Sequence, residues 1–173
     1  MKVTSLTIRH CKSIEEMTIR DIESALILVG KNNTGKTSVL DAIRMVTGSR
    51  QVRPEDFNEK LQNIEIEVEL EITGEDLSLF HQRGAVSSYK RYSLWEQEVR
   101  KRLPSFRGEK LNFTCAINRE GKRRYGDGFK KHNKYIEEII PRLYCIDTDR
   151  NMEELRRDLR LAQPKVIRRY VGE

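Results

Sequence analysis

The chain has 173 residues and a formal net charge of +6; 35% of its residues are charged and 37% are hydrophobic. This composition predicts one charge-rich but globular domain with a core of its own. No apolar run approaches the length of a membrane span, and the first residues lack the apolar core of a signal peptide, so we expect neither membrane insertion nor export.

The cysteines and histidines are scattered along the chain. Cys11, Cys115 and Cys145 include no C-x-x-C pair, which is typical of reduced thiols in a cytoplasmic protein. The three histidines show no metal-ligand spacing. The positive charge permits binding to nucleic-acid phosphates, although each basic cluster alone is typical of a solvated surface. These clusters are Arg100-Lys101-Arg102, Lys122-Arg123-Arg124, Lys130-Lys131 and Arg168-Arg169.

The chain opens with a predicted pair of strands. Residues 3–8 alternate apolar and polar side chains, and Met17 and Ile19 indicate a second strand. Residues 21–24 then form a turn. The next five residues, 25–29, are an unbroken apolar run, as expected for a short strand buried on both faces.

A phosphate-binding motif follows this run. It reads Gly30-Lys31-Asn32-Asn33-Thr34-Gly35-Lys36-Thr37, which matches G-x-x-x-x-G-K-[ST], the phosphate loop of an NTPase. From Thr37 onwards, apolar residues recur on one side of a predicted helix. The alternative is a glycine-rich turn before an ordinary helix, but the strand before the motif and the helix after it favour the phosphate loop.

The residue types in the motif suit phosphate binding. Gly30 lets the backbone leave the strand, and Gly35 lets it approach a phosphate closely. Asn32 and Asn33 tolerate left-handed conformations. Successive N–H groups then form an anion nest, to which the helix N-terminus adds its unpaired donors and its dipole.

Three residues at the start of the helix are expected to contact the ligand directly. Lys36 would reach the β- and γ-phosphates, and the Thr37 hydroxyl would coordinate Mg²⁺. Ser38 is a further donor to the α-phosphate. Together with the preceding loop, these residues form the predicted ATP site.

Two segments resemble a known class of ATPases. Leu6-Thr7-Ile8-Arg9-His10-Cys11-Lys12-Ser13-Ile14 and residues 28–43 resemble the N-terminus of ABC-type ATPases of the chromosome-maintenance and RecF-like class. Cys11 stands where that class typically has an aromatic residue. The Asn-Asn-Thr-Gly-Lys-Thr-Ser form of the loop, with Arg53-Pro54-Glu55-Asp56-Phe57, is more similar to the OLD family of ATP-dependent nucleases, which carry a C-terminal Toprim domain.

The resemblance implies an α/β fold: a P-loop NTPase core, as in the N-terminal lobe of an ABC-type ATPase, with an added antiparallel β-sheet. It implies ATP and Mg²⁺ as ligands of residues 30–38, with Lys12 and Ser13 touching the nucleotide from the first hairpin. Asp56 is a tentative Mg²⁺ ligand, and the alternative is an Asp that caps a helix or a turn. For the complete protein it implies dimerisation through the ATPase, and DNA as the partner of a repair or defence nuclease activity.

The middle of the chain predicts a strand, a helix and a hairpin. Residues 62–72 place five apolar side chains on one face and four glutamates on the other, which indicates a solvated outer sheet face or, alternatively, a cation site. A short helical turn is predicted over residues 76–81 and a charged helix over residues 88–103. Its Trp95 is either a core residue or a platform on which a base stacks. Residues 111–117 and 122–125 predict an antiparallel hairpin.

The last third of the chain leaves one question open. After a short helix over residues 133–140, residues 142–147 end an apolar run in Asp147, like a Walker B strand, but Thr148 stands where the catalytic Glu should follow. The alternative is a strand leading into a helical insertion, with residues 151–173 as the start of that arm. No signature motif and no Toprim acidic cluster is visible, so residues 1–173 are expected to form a single, incomplete N-terminal ATPase lobe, either as a fragment of a longer protein or as a natural truncation that works with a partner chain.

Three other functions compete with ATP binding by such a lobe. A GTPase would need Asn-Lys-x-Asp, and Asn133-Lys134-Tyr135-Ile136 has Ile where Asp belongs. A small P-loop kinase would need an arginine-rich lid, and the opening two-strand hairpin argues against it. A nucleotide-dependent nucleic-acid-binding module without hydrolysis remains an alternative. No catalytic residue can be assigned, and we expect the chain alone to bind ATP but to hydrolyse it negligibly.

Overall fold

The computed structural model of the chain describes residues 1–23, 25–31, 35–58, 62–141 and 143. The chain divides into two compact units, Met1–Pro141 and Arg142–Glu173, and every described helix and strand lies in the first. The Walker B candidate over residues 142–147 lies outside the described residues except for Leu143, and the proposed arm over residues 151–173 lies wholly outside them. Within the described ranges, no helix is long and apolar enough to cross a membrane.

The described part of the chain contains one six-stranded sheet in which all pairings are antiparallel. The strand order is β2-β1-β3-β5-β4, and β6 pairs with β5 beside β4. The strands are β1 (Lys2–Cys11), β2 (Ile14–Ile19), β3 (Ile64–Glu71), β4 (Phe106–Arg107), β5 (Lys110–Ile117) and β6 (Arg123–Gly126). The predicted antiparallel sheet, with its opening hairpin and its hairpin over residues 111–125, is therefore confirmed.

Alternating side chains give the sheet one apolar and one polar face. Ile66 of β3 lies in register between Ile8 of β1 and Cys115 of β5, and all three are fully buried. The glutamates of β3 face the other side, as the alternation predicts. Three of them form ion pairs with neighbouring strands. These pairs are Arg9–Glu67 (2.5 Å), Lys110–Glu69 (2.8 Å) and Lys2–Glu71 (3.2 Å).

Four α-helices accompany the sheet in the described residues. They are α1 (Lys36–Val46), α2 (Gly74–Gln82), α3 (Tyr92–Arg102) and α4 (Tyr135–Ile139), and a 3₁₀ turn spans Pro54–Asp56. Helix α1 buries Val39, Ala42 and Met45 in the core that includes the apolar side of β1. Trp95 of α3 is fully buried and donates its Nε1–H to the Ala85 carbonyl oxygen at 2.8 Å, so its interpretation as a core residue is confirmed.

Residues 25–29 do not form the predicted buried strand. They have no regular secondary structure, and no described strand pairs with them. Ile27 is 80% exposed and Val29 is 84% exposed, whereas Leu26 and Leu28, which alternate with them, are half-buried. The prediction of a strand buried on both faces was therefore wrong, because in the described structure only one side of residues 25–29 lies against the core.

Candidate nucleotide-binding site

The phosphate motif leads into the N-terminus of α1, as predicted. Gly35 has φ +87° and is the N-cap residue, a conformation that favours glycine because a side chain there would be strained. No side chain of the described residues caps this helix end, so its first N–H groups face the loop. Asn32, Asn33 and Thr34 lie outside the described residues, and their roles stay predictions.

The motif lysine lies over its own loop. The Lys36 Nζ donates to the carbonyl oxygens of Gly30 and Lys31, each at 2.6 Å. Both acceptors are at the start of the motif, so the ammonium group of Lys36 lies beside the residues that open it. A phosphate oxygen is a stronger, charged acceptor for the same donor. The contact of Lys36 with a phosphate stays a prediction.

The two residues after Lys36 have different surroundings. Thr37 is exposed, which leaves its hydroxyl accessible to a hydrated cation. Ser38 is buried, with 6% of its surface exposed, on the side of α1 that faces the core. The predicted Mg²⁺ ligand is thus accessible, and the predicted donor to the α-phosphate is less so.

The turn between β1 and β2 lies against the end of the loop. A Cβ atom added to Gly35 would be 3.9 Å from the Ser13 Oγ and 3.8 Å from Ile14, which places Ser13 beside the phosphate motif. Lys12 has φ +53°, and its N–H donates to the Asp56 carbonyl oxygen at 2.7 Å. The structure therefore brings Ser13 and Lys12 to the loop region, while their contact with a nucleotide stays a prediction.

A partly buried ionic cluster adjoins this turn. It consists of Lys12 of the turn, Asp41 of α1, Arg50 of the segment after α1 and Asp56 of the 3₁₀ turn. The Lys12 ammonium forms a short ion pair with Asp41 and lies 3.6 Å from the nearer oxygen of Asp56. Arg50 Nε lies 3.5 Å from an oxygen of Asp41. The cluster thus fastens the hairpin turn to α1 and to the 3₁₀ turn, and through them to the phosphate loop.

Asp56 is the most enclosed member of the cluster. It is fully buried, and its two oxygens accept hydrogen bonds from Arg50 at 2.7 and 2.8 Å. One oxygen also accepts the Arg53 N–H at 2.8 Å. Burial alone would raise the pKa of Asp56, but the hydrogen bonds from Arg50 and Arg53 and the charges of Arg50 and Lys12 outweigh it, so the pKa lies below its ordinary value.

This geometry is that of a turn aspartate. For Asp56 to bind Mg²⁺, its hydrogen bonds to Arg50 would have to be exchanged for the ion. Among the described residues, no group of three or more His, Cys, Asp or Glu side chains is placed to hold a metal. The assignment of Asp56 to the metal therefore stays a prediction that its contacts do not favour.

Asp41 and Arg50 were not among the residues singled out from the sequence. Asp41 is 5% exposed and lies on the buried side of α1. A carboxylate among the apolar residues of a predicted helix was the one available signal, because a buried charge needs a partner. Cys11 is buried beside the cluster, and burial together with the charge of Asp56 raises the pKa of its thiol to about 11, so it is a neutral packing residue.

Comparison with known proteins identifies the family. The model of the AAA ATPase domain matches residues 1–159, which include every described helix and strand. Among solved structures, a chain from a study of the structural biochemistry of ATP-driven dimerization and DNA-stimulated activation of SMC ATPases is similar, at 16% identity and a TM-score of 0.47. The similarity covers 73% of this chain and 69% of that chain. A comparison with curated proteins finds no match. Because the family model spans most of the 173 residues, the chain belongs to the AAA ATPase domain family, and nucleotide binding is the property that this family implies.

Proposed function

We propose that the chain binds ATP as its Mg²⁺ complex through residues 30–38. The observation that carries the proposal is the position of Lys36, whose ammonium group donates to the Gly30 and Lys31 carbonyl oxygens at the start of the motif. On binding, the β- and γ-phosphates accept this donor, and the N–H groups at the start of α1 add their dipole. The exposed Thr37 hydroxyl takes one position on the Mg²⁺ ion.

The experiment is a calorimetric titration of ATP–Mg²⁺ into the chain and into its Lys36→Ala variant. A hydrogen bond between charged groups contributes about 1.5–3 kcal/mol, so the variant should bind about ten- to a hundredfold more weakly. Lys101→Ala is the matched control, because Lys101 is an exposed lysine on α3 and its loss removes the same charge. Equal affinities of wild type and Lys36→Ala would refute the assignment of the loop.

We further propose that nucleotide binding is coupled to DNA in the complete protein, as in the OLD-like nucleases that residues 30–38 and 53–57 resemble. The net charge of +6 supports a nucleic-acid partner, because cations that neutralise phosphates release counterions from the strand. The alternative, a module that binds nucleic acid in a nucleotide-dependent manner without hydrolysis, uses the same loop and the same partner. The two differ in whether bound ATP is turned over, which phosphate release by wild type and Lys36→Ala measures.

A further inference from the structure

The segment between β6 and α4 presents an aromatic ring among cations. It comprises residues 127–132, Asp-Gly-Phe-Lys-Lys-His, which we call the basic loop. Phe129 is 62% exposed, and the three residues after it are exposed as well. A phenylalanine side chain left in water forgoes the favourable free energy of its burial, and a solvated turn does not require a phenylalanine.

The backbone of the basic loop is held in place from below. Asp127 is 4% exposed, and its Oδ1 accepts the N–H groups of Phe129 at 3.1 Å and Lys130 at 2.7 Å. Its Oδ2 accepts the Asn133 side-chain amide at 2.8 Å, and Asn133 also donates to the Arg102 carbonyl oxygen at 2.6 Å. The loop is therefore anchored to α3 at its base while its tip remains in solvent.

Two glycines make this shape possible. A Cβ atom on Gly126 would lie 3.0 Å from the Lys130 carbonyl oxygen and 3.3 Å from that of Lys131, so with any other residue here the returning chain would have to shift by a few tenths of an ångström. Gly128 has φ +78°, which also favours glycine. A loop that is ordered in this way gives up little conformational entropy when a ligand binds to it.

The cations at the tip differ from those on the sheet. Within the part of the chain that the structure describes, Lys130 and Lys131 have no ion-pair partner, whereas Arg9 and Lys110 on the sheet are paired with glutamates. A further cation adjoins the ring, because the Arg107 guanidinium carbon lies 5.7 Å from the centre of Phe129. The tip thus combines one accessible aromatic face with three cationic side chains.

A polar depression of about 220 Å³ opens beside the basic loop on the outer face of the sheet. Asp127 and Gly128 form part of its wall, and Thr7, Asn112 and Thr114 supply hydroxyl and amide groups. Glu67 and Glu69 also line it, and both are ion-paired with neighbouring strands. Hydrogen-bonding groups suited to the edge of a base therefore lie beside Asp127 and Gly128, the two residues that precede the exposed ring.

We propose that the basic loop binds single-stranded nucleic acid. Phe129 stacks on an unpaired base, and Lys130, Lys131 and Arg107 contact the phosphates on either side. A single strand is specified because only an unpaired base offers a free face to a protruding ring, whereas the bases of a duplex are stacked on one another. The inference deepens the proposed coupling to DNA by naming the surface and the form of the strand, and it rests on that coupling.

The test measures fluorescence anisotropy of a labelled oligothymidylate of about 20 nucleotides with the 173-residue chain, beside a uridylate strand and a duplex of equal length. Tighter binding of either single strand than of the duplex is expected, and the two strands together distinguish DNA from RNA. Phe129→Ala should weaken binding about 5- to 150-fold, the measured range for loss of one stacked base, while Phe129→Trp should retain it. The Lys130→Ser/Lys131→Ser variant should reduce the slope of log K against log salt concentration by about 1.4.

The control is Lys90→Ser/Arg91→Ser, which removes two exposed cations before α3 without touching the basic loop. An equal loss of oligonucleotide affinity in both double variants would mean that the strand is attracted by the surface charge as a whole, and it would overturn the assignment. Unchanged binding by Phe129→Ala would overturn it as well. If the wild type binds none of the strands, the coupling to nucleic acid fails together with this inference. ATP titrations separate that failure from a failure of the phosphate loop, because the wild type and the basic-loop variants should bind ATP–Mg²⁺ equally well.

Discussion

Replacing Asp56 by alanine should destabilise the fold strongly, although the residue ends a short 3₁₀ turn and lies in no α-helix or strand. The side chain is fully buried and accepts two hydrogen bonds from Arg50 and one from the Arg53 amide. Removing one partner of a buried ion pair costs about 3–5 kcal/mol. The Arg50 side chain is 21% exposed, so water can rehydrate part of its charge, and we expect a loss of about 2–4 kcal/mol in the free energy of unfolding.

Urea unfolding of the wild type and the variant, followed by circular dichroism, measures this loss. Glu55→Ala is the matched control, because Glu55 is the preceding residue of the same turn and its pair with Arg53 is exposed on both sides at 3.7 Å. Such a surface pair contributes at most about 1 kcal/mol. Similar shifts for Asp56→Ala and Glu55→Ala would refute the view that the cluster stabilises the turn.

A double-mutant cycle separates the ion pair from the loss of packing. Arg50→Met removes the other partner, and the double variant Arg50→Met/Asp56→Ala leaves neither charge without its counterpart. The double variant should therefore be destabilised by less than the sum of the two single variants, by about 0.5–3 kcal/mol. Strict additivity would show that the two side chains contribute independently.

Two further predictions concern titratable groups. Because the folded pKa of Asp56 is below its unfolded value near 3.9, the stability that it contributes is present above about pH 5 and is lost as the pH falls through the folded pKa. The difference in unfolding free energy between wild type and Asp56→Asn should therefore shrink on acidification. A difference independent of pH would contradict the pairing. Burial raises the pKa of Cys11 to about 11 and that of Cys115 to about 12, so both thiols should resist iodoacetamide at pH 8 in the folded chain and react after denaturation, as peptide mapping by mass spectrometry would reveal.

The sheet could be predicted from the sequence because its signal is local. Residues 64–72 alternate strictly, and the same alternation in β1 and β5 assigns which side chains enter the core. Helix α3 was predicted to start at residue 88, but it begins at Tyr92; its N-cap residue is Arg91, whose side chain makes no cap, so the sequence carries no signal for that start. β4 has only two residues, too few for any periodicity.

The phosphate loop was also visible in the sequence, but its supporting contacts were not. Its motif is contiguous, whereas the ionic cluster joins Lys12, Asp41, Arg50 and Asp56, whose proximity depends on the completed fold. The prediction of a strand over residues 25–29 failed for the opposite reason. Apolar composition reports that burial is favourable, but it does not report which partner strand supplies the burial, and the exposure of Ile27 and Val29 follows from the lack of one among the described strands.

The pairing of Glu71 with Lys110 has a consequence for how this protein can vary. These residues end β3 and begin β5, and the Ile72 N–H donates to the Glu109 carbonyl oxygen at 2.7 Å directly beyond them. Residues 72–109, which include α2, α3 and β4, thus leave β3 and return to the same point at β5. Doubling the length of such a closed excursion costs only about 0.6 kcal/mol of chain entropy. The exposed connections of this segment can therefore vary in length, while the buried Trp95 of α3 and the pairing of β4 with β5 tie the rest of it to the core and to the sheet.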